Sequence, residues 1–589
     1  MNVNRLWWDE SENIHKHVFA AAGNIRKNQT ALEDLQERHF RLYSGLPLYS
    51  AFTFNLAFDQ MDAKFTMNVV QSGVNTMVSK ITKNKVKPTF LTDGGDWGMQ
   101  QQAKKLDKYV YGQMYKLNIE AEAKKAFRDA CIFGDGFLKH WHDKEGEIHV
   151  KRVFNPCLLI DQAECLYGQE PKTVYEIRIT DKDTLKAKYP DFKLEIDEAS
   201  ISDVPFFIDS FETSHNLVLV IEAFRVQIRH GKEVKVGKHF IGISTATFLY
   251  EDFDFEEIPY IPMSFMPNAI GFYSKGIAEM ITGHQVEINR TLRRLSRSMN
   301  LMSSPNILVD YMSNIIDTHF NNEVGTVIKY KGAPPIYNFP QGVSPVVIDY
   351  LLMMYQKAFE EIGLSQLTAQ SKKPEGLDSG KALREYNDIE TERFAEVAQA
   401  WENFHLKISK AIIQHSVKIA EAGGKVVVLS PNKYGAEKIN FKDIKLKDSE
   451  YIMQVYPTSM LPKTPAGRLS YVQELLTTGM VTPEEGLSLL DFPDVMEMTE
   501  MKNAFIDDIR HTAYLIIEKD EYMQPEPYQN LQFGIQYMTA KYLQMKVRGL
   551  PQEKLDLLQR WVNDALSLQQ ELAPPAPVMP EVPLEQPPI

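Results

Sequence analysis

Two histidines and two aspartates that lie close together in the chain come nearest, by type and spacing, to a metal site. His140 and His142 are two residues apart in a segment with strand periodicity, so their side chains share one face. Asp129 and Asp135 precede them, and imidazole with carboxylate groups binds divalent metals. The spacing fixes no third ligand. A metal-dependent hydrolase is therefore one hypothesis, and solvated or half-buried strand histidines are the alternative.

Other catalytic signatures are missing from the sequence. Gly380-Lys381 is followed by Ala382, which has no hydroxyl for magnesium, and it lacks the upstream glycine of a phosphate-binding loop. No His-Glu-x-x-His or Gly-x-Ser-x-Gly motif occurs. Gly134-Asp135-Gly136 lacks the third glycine of a dinucleotide site and predicts a tight turn from a helix to a strand. We therefore predict a protein without catalytic residues, bound metal or cofactor.

Composition limits the class of protein further. The 589 residues are 44% hydrophobic and 24% charged, which is typical of globular domains, and the length predicts several modules. A net charge of -13 disfavours a protein that grips nucleic acid tightly on its own. The three cysteines, Cys131, Cys157 and Cys165, favour a reducing compartment. No apolar run is long enough for a membrane helix, and the first residues lack the apolar core of a secretory signal.

The elements that would carry these residues predict an α+β fold that is predominantly helical. Helical periodicity covers about 10–43, 62–83 and 97–133, the last with a break near Leu117-Asn118. The period then changes to two. Residues 134–265 are predicted as mostly strand, with hairpins over 137–153 and 217–243.

Long helices dominate the second half. One is predicted over about 274–302, and a second begins at Ser344-Pro345, where serine and first-turn proline are a good start signal. The insert that separates them is predicted to contain a strand at 306–310, a helical turn at 313–320, a strand at 325–330 and a rigid turn region marked by Pro334, Pro335 and Pro340. A polar segment then precedes a very long helix over about 378–423. Short strands at 425–429 and 451–456 and further helices from about 460 follow, and seven prolines in the last seventeen residues predict a disordered or polyproline tail.

This order of elements resembles the portal proteins of tailed bacteriophages. The resemblance spans about 50–460, and four segments carry it: Asn68-Val-Val-Gln-Ser-Gly-Val-Asn-Thr-Met-Val-Ser79, Asp129-Ala-Cys-Ile-Phe-Gly-Asp-Gly136, Gly271-Phe-Tyr-Ser-Lys-Gly-Ile-Ala-Glu-Met-Ile281 and Gln285-Val-Glu-Ile-Asn289. None of them is a strict signature. The order of the segments is what indicates the family.

The resemblance implies a portal fold with wing, stem, clip and crown regions. The implied divisions are the wing at 1–271, the first stem helix at 272–304, the clip at 305–343, the second stem helix at 344–363, the tunnel loop at 364–378, the long wing helix with return strands at 379–459, the crown at 460–572 and the tail at 573–589.

The resemblance also implies the partners. Twelve copies would form a ring at one capsid vertex and conduct double-stranded DNA during packaging and ejection. The ring would dock the large terminase, which supplies the ATPase, and then the tail adaptor or head-completion protein. It would contact the major capsid protein, with a scaffold protein as a further candidate. The implied location is the virion, with assembly in the host cytoplasm.

Charge fits a passage along which DNA slides. Twelve copies at -13 carry about -156, which favours low friction, whereas a strongly basic bore would hold the duplex through counterion release. Lys372 and Lys373 lie in the implied tunnel loop. They either contact phosphates or are solvated loop lysines.

A basic stripe marks the first long helix. Arg290, Arg293, Arg294 and Arg297 share one helical face. We favour pairing with acids of the second stem helix on a neighbouring copy, with DNA contact and a solvated face as alternatives. The candidate acidic partners are Asp349, Glu360 and Glu361. Another phage structural protein, such as a scaffold or internal virion protein, is a further alternative to a portal.

Overall fold

The computed structural model divides the chain into two compact units, Met1–Lys85 with Gly112–Val426, and Val86–Tyr111 with Val427–Ile589. We call them the first and the second unit. The structure describes residues 6–10, 12–46, 67–83, 86–92, 97–199, 216–230, 233–303, 306–313, 315, 332, 334–338, 344–364, 392–424, 426–432, 435–444, 451–457, 465–480, 506 and 508–572.

Helices and strands both contribute, as an α+β chain requires. The helices in the described residues are α1 (Ile14–Asn28), α2 (Thr30–Ser44), α3 (Val69–Ile81), α4 (Trp97–Lys116), α5 (Ile119–Phe133), α6 (Lys182–Lys188), α7 (Lys193–Glu198), α8 (Ile277–Met280), α9 (Thr282–Ser303), α10 (Pro345–Glu361), α11 (Ala395–Glu421), α12 (Pro465–Thr477), α13 (Leu531–Val547) and α14 (Gln552–Leu572).

The strands are short and mostly antiparallel neighbours. They are β1 (Val86–Thr92), β2 (Asp135–His142), β3 (Ile148–Val153), β4 (Leu158–Ile160), β5 (Thr173–Asp181), β6 (Leu217–Arg225), β7 (Ile228–His230), β8 (Glu233–Lys235), β9 (Gly237–Gly242), β10 (Thr247–Phe253), β11 (Tyr260–Ser264), β12 (Asn306–Leu308), β13 (Ile336–Asn338), β14 (Val427–Asn432), β15 (Gly435–Asn440) and β16 (Tyr451–Pro457).

Two sheets of the first unit face each other. The larger has the order β10-β9-β6-β5-β4, and the smaller has the order β11-β2-β3. One face of the larger sheet is covered by α1 and Trp7. Its other face packs against the smaller sheet through Phe137, Val174 and Tyr260. Side chains alternate along each strand, so the two faces of β5 and β6 supply two separate cores.

A buried ionic network joins the two sheets. Lys139 of β2 contacts Glu176 of β5 at 2.8 Å and Glu222 of β6 at 2.5 Å. Burial alone would raise the pKa of the Glu222 carboxyl, but the hydrogen bond to His239 and the charges of Lys139 and Arg178 hold that pKa well below its usual range. The paired charges specify how β2 lies across the larger sheet, since removing one partner would leave an uncompensated buried charge.

Several predicted boundaries are confirmed. The break between α4 and α5 falls at Leu117-Asn118, where Asn118 has φ 52°. The first hairpin pairs β2 with β3 in the register His140 opposite Val150. The second pairs β6 with β9 and β7 with β8, and its tip at residues 231–232 lies outside the described residues. α10 begins at Pro345 as predicted, although the Ser344 side chain makes no capping hydrogen bond.

The insert between the long helices differs in part from its prediction. β12 pairs with β13 in an antiparallel register, with Asn306 opposite Asn338. Residues 336–338 were expected in a rigid turn region marked by prolines, but they form a strand because β12 offers them a ladder of hydrogen bonds. The predicted helical turn after Ser313 and the strand at 325–330 lie almost entirely outside the described residues.

The second unit contains a strand that the sequence did not predict. β1 pairs along its length with β16, with Pro88 opposite Val455. Proline is tolerated here because the sheet has two strands among the described residues, so each strand keeps one open edge that needs no N–H donor. The partner strand is far away in sequence, and no local pattern reveals it.

The helical part of the second unit has its own core. α13 and α14 pack around Trp561, Leu558 and Met538, with Ile516 from a π-helical turn at Leu515–Lys519. α12 ends before Gly479, which has φ 70°, a conformation that glycine adopts readily after a helix. The predicted proline-rich tail lies outside the described residues.

No helix in the described ranges is long and apolar enough to cross a lipid bilayer. The cysteines Cys131, Cys157 and Cys165 are free thiols, and Cys131 and Cys165 are buried.

Candidate functional site

The two long helices α9 and α10 pack against each other as an antiparallel pair. His284 in the first turn of α9 lies 2.9 Å from Glu361 at the end of α10. Strand β12 follows the last residue of α9, and strand β13 precedes the first residue of α10. The two strands pair with each other at this end of the helices. Side chains buried between or beneath the helices include Ile288 and Leu292 of α9 and Ala358 and Phe359 of α10. The helices and the strands therefore form one hairpin.

Several large apolar side chains of this hairpin are exposed, among exposed polar and charged ones. Val346 is 71% exposed, Leu352 56% and Met353 48%, all on α10, and Met299 of α9 is 55% exposed. Single exposed apolar residues are common, but an apolar group on one element indicates a surface that another molecule covers.

The four arginines of the predicted stripe are all exposed on α9. Arg290 lies 4.0 Å from Glu287 on its own helix. The candidate acids have other neighbours or face solvent: Glu361 pairs with His284, and Glu360 pairs with Lys357 at 2.6 Å. Asp349 is exposed. Within the described part of one chain, no ion pair joins the stripe to these three acids, so pairing between copies stays a prediction.

A buried glutamine anchors α9 to the start of α3. The Gln285 side chain, 2% exposed, accepts a hydrogen bond from the Val69 N–H at 2.7 Å and approaches the Val70 N–H at 3.3 Å. Its amide group donates to the Met67 carbonyl at 2.9 Å and to Asn289 Oδ1 at 3.0 Å. Gln285 thus satisfies backbone groups that the first turn of a helix cannot pair internally.

Asn68 completes the start of α3. Its Oδ1 accepts from the Gln71 N–H at 2.9 Å, which is the expected N-cap bond. Its amide group donates to the carbonyls of Leu42 and Tyr43 at the end of α2. One side chain therefore closes the end of α2 and the beginning of α3 together.

A close backbone contact holds the turn from α5 to β2 against the segment that leads into α8. Gly134 has φ 101°, and a Cβ there would lie 1.9 Å from the Ser274 carbonyl oxygen. A Cβ on Gly276 would lie 2.8 Å from both the Gly134 nitrogen and the Ile132 oxygen. The predicted tight turn at Gly134 is confirmed, and it has a second purpose, which is to admit a neighbouring backbone.

Asp135 fixes this contact by hydrogen bonds. Its carboxylate accepts from Ser264 Oγ and from the Ser274 N–H, each at 2.7 Å. Burial raises the pKa of the Asp135 carboxyl, and these two hydrogen bonds oppose that rise. The Phe265 N–H also donates to the Gly134 carbonyl at 2.9 Å.

The four segments that resemble portal proteins therefore meet in one region, which we call the junction: the start of α3, the turn from α5 to β2, the approach to α8 and the first turns of α9. The sequence showed their order but not their convergence. The roles of Gln285 and Gly276 could not have been found without the fold, since a glutamine in a helix and a glycine before one are common.

The predicted tunnel-loop residues Lys372 and Lys373 lie outside the described residues, as do most of the implied clip and the first part of the predicted long helix that ends as α11.

The hypothetical metal site does not assemble. Asp129 binds the Arg152 guanidinium through both carboxylate oxygens, at 2.5 and 2.7 Å, and burial raises the pKa of Asp129. Asp135 is used in the junction. His140 and His142 do share a side of β2, as predicted, but each approaches His415 of α11 and not an aspartate. Sequence reasoning missed His415 because it lies 275 residues from His140.

Another close group is also explained without a cation. Asp143, Glu147 and His149 lie around the turn between β2 and β3. Asp143 accepts from two backbone N–H groups of the turn and from His149 at 3.0 Å. Glu147 pairs with Lys116 at 3.1 Å. These contacts are those of a closed turn, and the lysine opposes a cation there.

A comparison with protein families matches the part of the chain that contains the junction and both long helices. The family described as phage P22-like portal protein matches residues 55–388, which include α3 to α10 and all four segments of the junction. The match covers more than half of the chain, so this chain belongs to the P22-like phage portal protein family. No curated protein matches the chain. Portal proteins are structural proteins of the phage capsid, and membership confirms the resemblance seen in the sequence.

Proposed function

We propose that this protein forms the ring at one capsid vertex through which double-stranded DNA enters during packaging and leaves at ejection, with twelve copies in the ring. The observation that carries the proposal is the α9–α10 hairpin. It is anchored at one end by the junction and closed at the other by β12 and β13, and it carries exposed apolar side chains.

The hairpin supplies what a ring needs from each copy. Val346, Leu352 and Met353 would be buried against the next copy, because repeating the same contact around an axis closes a ring. The exposed arginines of α9 would meet acids such as Asp349 on that neighbour. Apolar burial would then supply affinity, and the charged pairs would fix the register between copies.

The regions of the portal fold are assigned by the same proposal. α9 and α10 are the stem, the insert with β12 and β13 is the clip, α11 is the long wing helix, and α12 to α14 belong to the crown. The clip would dock the large terminase and later the tail adaptor. The wing would contact the major capsid protein, with a scaffold protein as a further candidate.

Charge favours passage over tight binding. The net charge of -13 in each copy repels a polyanion overall. Lys372 and Lys373 would give local phosphate contacts in a tunnel loop, which are strong enough to steady the duplex but too few to hold it. No catalytic role is needed, because the terminase supplies the ATPase.

Negative-stain imaging of the purified full-length protein tests the proposal. Ring-shaped particles with a central hole and twelvefold averages are expected. Analytical ultracentrifugation should show a species of about twelve times 67.6 kDa. A folded protein, with cooperative unfolding, that stays monomeric over a range of protein and salt concentrations would refute it.

A further inference from the structure

Three histidines form a continuous hydrogen-bonded chain inside the first unit. His140 Nδ1 lies 2.8 Å from His415 Nε2, and His142 Nδ1 lies 2.8 Å from His415 Nδ1. His140 and His415 are buried, and His142 is half-buried. The chain therefore runs from the interior toward the surface, with the α11 residue in the middle. Neither the portal function nor the junction uses it.

The geometry is that of a proton-sharing chain and not of a single metal site. A metal ion takes one nitrogen from each ligand, but the two nitrogens of His415 face different histidines. A neutral imidazole has one N–H and one lone pair, so His415 donates to one neighbour and accepts from the other. Three neutral rings satisfy this pattern.

The chain tolerates extra protons poorly. One added proton places a positive charge in an apolar site. With two, at His140 and His142, both Nδ1 atoms would carry hydrogen toward His415, which has only one lone pair to offer. The two imidazolium ions, one on each side of His415, would also repel each other. The closed arrangement therefore requires that most of the chain stay neutral.

Among the described residues, the charged or titratable groups that act on His415 are Lys418 and the two other histidines, and none of them supplies negative charge. Lys418 of α11 has its ammonium 3.3 Å from the Phe255 ring centre, and that ring lies 5.2 Å from the His415 ring. Burial lowers the pKa of His415, and His140, His142 and Lys418 lower it further.

The other elements packed here carry charges of both signs. The residues concerned are Lys139 beside His140 on β2, Asp143 in the β2–β3 turn, Asp254 and Glu257 in the segment before β11, and Glu421 on α11. Glu257 raises the pKa of His140, but it is paired with Lys410 at 2.7 Å, and burial outweighs it, so the pKa of His140 falls to about 4. His149 of β3 stacks on Trp141, on the opposite face of the hairpin.

The chain sits where α11 rests on the β2–β3 hairpin. Ile408, Ile412 and Ile419 of α11 are buried. The turn of the hairpin reaches the same helix, since a Cβ on Gly146 would lie 3.0 Å from Ile419 Cγ2. Apolar packing and the histidine chain thus hold the same half of α11.

We propose that the chain His140–His415–His142 is an acid-sensitive latch, which holds the second half of α11 on the β2–β3 hairpin at neutral pH and releases it in mild acid. Opening exposes the histidines to water, where they bind protons near pH 6.5. The opened state therefore binds more protons than the closed state below about pH 6.5. The population of the opened state therefore increases by up to tenfold, for each additional proton bound, with every unit by which the pH falls.

Hydrogen exchange of the full-length protein tests the latch. Protection factors are measured from pH 7.5 to 5.0, each relative to the intrinsic exchange rate at that pH. Peptides of residues 405–421 and of the β2–β3 hairpin should lose protection by at least about tenfold between pH 7 and pH 5. Peptides of α5 should keep theirs.

Variants test whether the three histidines cause the loss of protection. The glutamine in His415→Gln still offers a donor and an acceptor group but does not titrate, so the acid-dependent loss of protection in residues 405–421 should be reduced at least severalfold. His142→Gln is the second variant, since a half-buried position tolerates it if His415→Gln does not fold. The matched control is His39→Gln. His39 is buried in α2 and does not belong to the group of three histidines, and burial lowers its pKa to about 4. That variant should lose protection in 405–421 as the unmodified protein does.

Three results would overturn the proposal. The first is constant protection of residues 405–421 between pH 7 and pH 5. The second is an acid-dependent loss of protection in His415→Gln and in His142→Gln that is as large as the loss in the unmodified protein. The third is loss of protection on adding EDTA at pH 7 with recovery on adding Zn²⁺, which would identify a metal site in place of a latch.

Discussion

Replacing Gln285 by methionine should loosen α9 from α3. The side chain is similar in size but can neither accept from the Val69 N–H nor donate to the Met67 carbonyl, at 2.7 and 2.9 Å in the structure. The Val69 N–H also donates to the Met67 carbonyl at 3.1 Å, so neither group loses every partner when Gln285 is replaced. A buried hydrogen bond contributes about 0.5–1.5 kcal/mol, so two lost bonds predict a loss of about 1–3 kcal/mol.

Local hydrogen exchange measures this loss where it occurs. A tenfold change in protection corresponds to about 1.4 kcal/mol, so the amides at the start of α3 should lose about 5- to 140-fold in protection. Protection in Gln285→Glu should lie between that of the unmodified protein and that of Gln285→Met. A carboxylate still accepts from the Val69 N–H and favours a helix N-terminus, but it cannot donate to the Met67 carbonyl.

Gly283→Ala is the matched control on the same turn of α9. Nothing lies within 4 Å of a Cβ added at Gly283, and alanine favours a helix, so protection should be unchanged or increased. If the amides at the start of α3 are as well protected in Gln285→Met as in Gly283→Ala, the anchoring role assigned to Gln285 is wrong.

Further predictions concern the junction, the tunnel loop and the stripe. Gly134→Ala should cost more than about 3 kcal/mol, because the residue has φ 101° and the added Cβ meets a carbonyl oxygen at 1.9 Å; thermal unfolding and soluble yield measure the loss. Lys372→Ala with Lys373→Ala should leave rings intact but lower the length or retention of packaged DNA, measured on purified particles. Arg293→Glu with Arg294→Glu should disturb ring assembly, measured by sedimentation, because acids would then face acids of the next copy.

Each of these has a control or a contrary result. Gly168→Ala has φ 83° but nothing within 4 Å of its Cβ, so it should show backbone strain alone, of about 1–2 kcal/mol. Unchanged packaging in the double lysine variant would remove the tunnel-loop proposal. Normal rings that package poorly in the double arginine variant would indicate that the stripe contacts DNA and not a neighbouring copy.

Local signals in the sequence predicted local structure well. Asn118 ended one helix and began another because asparagine tolerates the left-handed conformation found there, and Gly134 turned a helix into a strand for a similar reason. The change of period at residue 134 predicted the hairpin of β2 and β3. In each case the cause lies within a few residues of the effect.

Long-range pairing was beyond such signals. β1 forms because β16 is there to pair with it, although the two are separated by more than 350 residues. His415 belongs with His140 for the same reason, and its place in α11 marks it only as one residue of a helical face. The order of the portal-like segments was readable, but their convergence on the junction depends on the whole fold.

The junction and the exposed surface of the α9–α10 hairpin differ in character, and the difference indicates a separate role for each. At the junction, backbone contacts that only glycine permits and buried partners for Gln285 and Asp135 leave little freedom of position. Side chains there would lose several hydrogen bonds if the hairpin changed its angle. The outer face of α10 has the opposite character, since Val346 and Leu352 are exposed and have apolar surface to bury. In the proposed ring, a rigid base and exposed apolar side chains would suit an element that meets identical neighbours at a fixed angle, because small errors of angle would accumulate around a closed ring.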